Sequence, residues 1–212
     1  MKRLLTILLL TFLYIIGHAQ NPMLRNYHTN EYGGGTQNWA IDKTLDNRLL
    51  LANNDGLLEF DSHWWRRFPL PNYSNVRSVL FDRRRLVVWA GGSNEFGCYS
   101  LSKGNYVVGY HTLTDRLKPE EHDFDEIWRI HALGDSIVFQ GRNRLFFLDA
   151  NDSLTSISIP SGIGCSAVAC GRLVLNCHDG IYELRGGRPV QVGLFKSVQD
   201  YLGHHVGEVV HL

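Results

Sequence analysis

The chain has 212 residues, 21 basic and 21 acidic side chains, and 44% hydrophobic residues. So even a balance gives no electrostatic footprint for nucleic acid, and neither helix-turn-helix nor zinc-finger patterning is present. Four cysteines at irregular spacing, with no C-x-x-C pair, exclude a disulfide scaffold and a zinc ribbon.

Lys2 and Arg3 precede an apolar run over 4–16, and Gly17-His18-Ala19 then supplies small residues. Charge, apolar stretch and small-residue site, in that order, predict a secretory signal over residues 1–19, cleaved near Ala19/Gln20. The apolar run is too short to cross a bilayer, which takes roughly 20 residues. No cysteine follows it as a lipoprotein signal requires. Losing Lys2 and Arg3 leaves the exported part, 20–212, slightly acidic and long enough for a sizeable core.

From residue 38 onward the chain repeats itself. First strands are predicted at 38–41, 76–81, 127–132 and 165–169. Second strands follow as LLLAN (49–53), LVVWA (86–90), IVFQG (137–141) and LVLNC (173–177). Third strands come at a near-constant offset, at 57–60, 96–99, 145–148 and 181–184. Fourth strands are read in RRFPLP (66–71), TSISIP (155–160) and RPVQVG (188–193). Turns such as Asn54-Asp55-Gly56 and His178-Asp179-Gly180 supply residues that tolerate tight or left-handed conformations.

Short strands rich in Leu, Ile, Val, Phe and Trp, repeating every 36 to 51 residues, predict an all-β propeller of four-stranded antiparallel blades. A β-sandwich explains the short strands and turns but not the constant inner order of each repeat. Arg83-Arg84-Arg85 falls between two apolar runs and reads as a hairpin turn. The acidic stretch 118–125 contains a proline and lacks an apolar stripe, so it is predicted as a loop. If 168–173 forms a hairpin, Cys165 and Cys177 sit on neighbouring strands. Small buried side chains are the plainer reading of the cysteines.

After four units comes a connector over 195–205, and 206–211 resembles the first strand of a fifth blade. The expected architecture is thus an incomplete propeller, with a closed four-bladed ring plus a tail as the alternative. Without further blades, the outer face of blade one and the last strand would lack neighbours. Several hundred Å² of exposed apolar area forfeits on the order of 10 kcal/mol, so the isolated chain is expected to be marginally stable or to self-associate.

The segments NPMLRNYHTNEYGGGTQNWAI (21–41), NNDGLLEFD (53–61), NEFGCYS (94–100) and DEIWRI (125–130) carry a resemblance. They resemble the periplasmic sensor regions of Bacteroidetes regulators built from two-component regulator propeller repeats. The resemblance implies an extracytoplasmic ligand-sensing propeller. In that family it is followed by a triple-tyrosine domain, a membrane helix and either a histidine kinase or a LuxR-type output. None of those modules is present in this sequence. The partners it implies are a glycan or other extracytoplasmic ligand, the remaining blades and triple-tyrosine domain of a full-length homologue, and a second copy as a homodimer. No nucleic acid is expected to contact this segment. The alternatives are a free periplasmic binding or scaffold module, a gene fragment without function, and, at greater distance, a propeller-fold carbohydrate-active enzyme.

No catalytic, cofactor-binding or metal-binding residue is expected. His122 lies among Glu120, Glu121 and Asp123, and His204, His205 and His211 lie near the C-terminus, in neither case with ligand spacing. Gly33-Gly34-Gly35 precedes a strand with no following helix or lysine, unlike a phosphate loop. No serine occupies a G-x-S-x-G elbow. Trp39 and Trp128 occupy comparable first-strand positions and are read as packing between blades. Trp64 and Trp65 are adjacent, so in a strand they face opposite sides and one should be exposed.

Overall fold

The structure, a computed structural model, describes residues 24–122 and 124–192. The leader, Asp123, the 195–205 connector, the strand expected at 206–211 and His204, His205 and His211 lie outside the described residues.

Among the described residues, sixteen strands form four separate antiparallel sheets, each a meander in chain order. Blade one contains β1 (Asn38–Lys43), β2 (Leu49–Asn53), β3 (Gly56–Phe60) and β4 (Trp65–Phe68). Blade two contains β5 (Val76–Asp82), β6 (Val87–Gly92), β7 (Glu95–Leu101) and β8 (Val107–Thr112). Blade three runs β9 (Arg129–Leu133), β10 (Ser136–Gln140), β11 (Arg144–Leu148) and β12 (Leu154–Ser158). Blade four runs β13 (Ile163–Ala169), β14 (Arg172–Cys177), β15 (Gly180–Arg185) and β16 (Arg188–Gln191). No sheet closes into a barrel, and the arrangement is that of an incomplete propeller.

The blades meet face to face, with one apolar layer at each interface. Leu50, Ala52 and Leu57 of blade one pack with Val76, Val79, Val88 and Tyr99 of blade two. Trp89 and Phe96 of blade two pack with Ile130, Phe139 and Phe146 of blade three. Val138 and Leu145 of blade three pack with Leu173 and Leu175 of blade four. First strands adjoin first strands: β1 lies against β5, β5 against β9, and β9 against β13. Each of these seams carries a polar link. The Phe81 N–H donates to Asp42 Oδ2 (2.7 Å), the Ser78 hydroxyl donates to the Ile127 carbonyl (2.8 Å), and His131 Nε2 lies 2.7 Å from Ser166 Oγ.

Several expectations change at the edges. β4 stops at Phe68 because Pro69 and Pro71 have no N–H to give a ladder. β8 was not anticipated, since its VVGYHT sequence is largely solvent-facing and interrupted by Gly109. The 118–125 loop contains one short 3-10 turn, Pro119–Glu121, and a second, Thr114–Arg116, lies just before it. The arginine cluster does occupy the β5–β6 turn, where Arg85 Nη1 reaches Asp82 at 2.9 Å and Arg84 reaches Asp135.

The outer face of blade one is not bare. On its side away from blade two, Tyr27 stands edge-on to Phe60 (5.1 Å) and to Trp65 (5.3 Å). A single helical turn, Thr29–Tyr32, closes on Gly33 in the left-handed conformation (φ 64°) and brings Tyr32 to 5.6 Å from Trp65. The buried Asn53 amide then fastens this segment. It accepts from the Gly35 N–H and donates to the Gly35 and Gln37 carbonyls. The chain's own N-terminal side thus supplies the neighbour that the repeat count alone withholds.

Candidate functional site

A ladder register exposes what the repeats do at their inner edge. Between β1 and β2, Asn38 pairs with Asn53 and Ala40 with Ala52, so Trp39 is an extra residue. Between β5 and β6, Val76 pairs with Gly92 and Ser78 with Gly91, so Arg77 is extra. Between β13 and β14, Ile163 pairs with Cys177 and Cys165 with Asn176, so Gly164 is extra. In blade three the Trp128 N–H donates to the Gln140 carbonyl (2.8 Å) while Arg129 pairs with the same residue. Two residues against one is the geometry of a β-bulge, which re-aims the side chain it carries. The same position in four blades therefore holds Trp, Arg, Trp and Gly.

These positions converge on one cleft of about 180 Å³, lined by Trp39, Arg77, Trp128, Arg129, Gln140, Gly164 and Cys165. The Arg77 guanidinium lies 3.7 Å from the centroid of Trp39 and 5.2 Å from that of Trp128. Such contacts are each worth about 0.5–2 kcal/mol. Glu126 accepts from Arg77 Nε at 2.9 Å and from Asn75 Nδ2 at 3.2 Å, and Arg77 Nη2 is also 2.9 Å away. Asn54 accepts from the Trp39 indole N–H at 2.7 Å, which fixes that ring.

The expectation that Trp39 and Trp128 fill the wedges between blades is corrected here. Each is 38% exposed, because the bulge turns the ring out of the apolar layer and into the cleft. Trp64 is 74% exposed, whereas Trp65 is half-buried and stacked on Phe60 at 4.3 Å, as adjacent residues should be. Cys165 and Cys177 do lie on neighbouring strands, but all four cysteines are free. Cys177 is buried and Cys98 half-buried, while Cys165 faces solvent and Cys170 sits exposed in the β13–β14 turn at φ 50°. Burial therefore describes only two of the four. Among the described residues no group of three or more His, Cys, Asp or Glu side chains is placed to hold a metal.

Behind the cleft the His131 ring, Ser166 hydroxyl and Gln140 amide form a chain joining blades three and four. The hydroxyl donates to Gln140 Oε1, so the His131 ring N–H is the donor to the hydroxyl. Burial, with the neighbouring Arg129 charge second, lowers the His131 pKa to about 4. The unfolded chain then binds a proton that the folded chain refuses between about pH 6.5 and 4, so stability falls as the pH drops through that window. Full stability is present above 6.5, and the loss approaches ~3 kcal/mol near pH 4. Denaturant titrations at pH 7 and pH 4.5 should show this acid loss, and His131→Gln should remove most of it.

Two donors at the cleft remain without an acceptor, Gln140 Nε2 and Arg77 Nη1. A buried donor left unsatisfied costs about 1–3 kcal/mol. The Arg129 guanidinium, which also lines the cleft, makes no hydrogen bond or ion pair among the described residues. Sequence reasoning aligned Trp39 with Trp128 but missed Arg77. The signal was there: NWAI, VRSV and IWRI place it in the same column.

No family model matches this chain, and no curated protein does either. Solved structures do. A chain described as the extracellular domain of the hybrid two component system BT3049 from B. thetaiotaomicron aligns with a TM-score of 0.61 at 14% identity. That alignment covers 80% of this chain and 26% of the other. The extracellular domain of BT4673 from the same organism, described once as a hybrid two component and once as a one component system, aligns with a TM-score of 0.56. Identity there is 12–14%, over 76% of this chain and 22% of that one. The chain thus spans about a quarter of the length of these neighbours. It is similar in fold to the extracellular domains of B. thetaiotaomicron two component systems.

Proposed function

We propose that the chain is the ligand-recognition portion of an exported sensor propeller belonging to a membrane-bound regulator, and that the first-strand cleft receives the ligand. The observation that carries this reading is the convergence of Trp39, Arg77 and Trp128, from three successive blades, on one cleft. Packing alone gives no reason to turn two tryptophans outward at matched positions. Exposed indoles beside a guanidinium suit a small ligand presenting a flat apolar face and hydrogen-bonding groups, such as a glycan fragment. The fold likeness to extracellular domains of two component systems supports the extracytoplasmic setting, as does the leader over 1–19. No catalytic role is assigned: carboxylates in the cleft region are represented by Glu126, which is engaged by Arg77 and Asn75.

Fractionation of cells carrying the C-terminally tagged gene tests the setting. The tagged product is expected in the periplasmic or membrane fraction, with residues 1–19 removed. A cytoplasmic product that retains those residues overturns the reading.

A further inference from the structure

We propose that the cleft selects ligands in which a carboxylate is borne on a ring with a flat apolar face. This rests on the reading of the cleft as a ligand site. The charge arithmetic comes first. Among the described residues Arg77 is answered by Glu126, whereas the Arg129 guanidinium, which lines the same cleft, has no hydrogen-bond or ion-pair partner, so the described cleft carries one uncompensated positive charge. The unpartnered polar atoms that line it are donors as well. Gln140 Oε1 already accepts from Ser166, leaving Nε2, and Arg77 Nη1 is equally unpaired. Asn75 Oδ1 is an unpaired acceptor, but Asn75 does not line the cleft. What this site lacks is acceptors and negative charge, and a carboxylate supplies both in the fork geometry that a guanidinium fits.

The rest of the ligand is set by the walls. Trp39 and Trp128 offer ring faces, and Gly164 leaves the fourth bulge position without a side chain. With nothing there but backbone, a ring can sit between the indoles and blade four. The cleft, about 180 Å³, is smaller than the ~300–1,000 Å³ of a site for a drug-sized ligand. It therefore holds one ring, either a small molecule or the terminal unit of a longer one. A uronic acid and an aromatic acid share this chemistry.

The test follows the indole N–H resonances of the purified chain while glucuronate, benzoate and their neutral counterparts, methyl glucoside and benzyl alcohol, are titrated to millimolar levels. At least one acid is expected to shift both Trp39 and Trp128, binding about tenfold or more tightly than its neutral counterpart. Which acid does so identifies the source of the ring. Arg129→Gln, an exposed position that leaves the circular dichroism unchanged, should bring acid and neutral probes to equal affinity. Trp128→Ala should abolish both. Neutral probes that shift these indoles as strongly as the acids would overturn the selectivity while leaving the cleft as a ligand site. If no probe moves either indole, the proposal fails. Neither outcome touches the export of the chain, which fractionation decides separately.

Discussion

Replacing Gly92 with alanine should lower the stability of the whole array by ~3 kcal/mol, at the upper end of the cost of overpacking a core. A Cβ at this position would stand 1.9 Å from the Asn75 carbonyl oxygen and 2.8 Å from Leu70 Cδ1. The first obstacle is backbone, so no rotamer change relieves it. Either β6 parts from the segment leading into β5, or the blade-one to blade-two layer around Leu70 and Val76 opens. For a chain of this size the corresponding drop in Tm is roughly 10 °C. Gly109→Ala on β8 is the control, because nothing lies within 4 Å of its Cβ position. Thermal melts should separate the two variants clearly, and similar Tm values for both would show that β5 and β6 do not approach as described.

The second large effect concerns Glu126. Its side chain is 13% exposed and that of Arg77 is 15% exposed, so each charge depends on the other more than on water. Glu126→Ala leaves the guanidinium uncompensated between two indoles, with Asn75 Nδ2 also stripped of its acceptor. The expected loss is about 2–3 kcal/mol, below the 3–5 kcal/mol of a fully buried pair because some solvent reaches both groups. Arg77→Leu combined with Glu126→Leu should be milder than Glu126→Ala alone, since neither charge is then stranded. Urea unfolding of Arg77→Leu, Glu126→Leu and the double variant forms the cycle. A double variant that is simply the sum of two singles would show that the pair is not coupled.

The blade frame was readable because it rests on local rules. Apolar runs of strand length, separated by Asn-, Asp- and Gly-containing turns, fix β2, β3, β10 and β11 to within about a residue. Fourth strands are harder, since their outer position relaxes the apolar demand; β8 escaped for that reason. The site escaped for a different one. A bulge is a defect in register between two strands, and a single strand's sequence does not display it. Trp39 read as a packing residue because large rings in strands usually are. Only the pairings Asn38 with Asn53 and Ala40 with Ala52 show that it is the extra residue. Arg77 is a lone charge inside a predicted strand, and only its contacts with Trp39 and Trp128 across two blade seams give it a role. The cover over blade one was likewise hidden, because Tyr27 and Tyr32 lie in an irregular segment with no periodicity to reveal what they meet.

The central claim is that bulged residues of three successive blades meet at one point, and nuclear Overhauser contacts from the Arg77 side chain test it most directly. With Arg77 Cζ 3.7 Å from the Trp39 ring centroid and 5.2 Å from that of Trp128, its δ-methylene and Nε–H protons should give cross-peaks to both indoles. The δ-methylene resonances should also lie upfield through the ring current of Trp39, and Trp39→Ala should return them to ordinary values. Cross-peaks to both rings are the predicted result; an Arg77 side chain that contacts neither indole, with unshifted methylene resonances, would contradict the account.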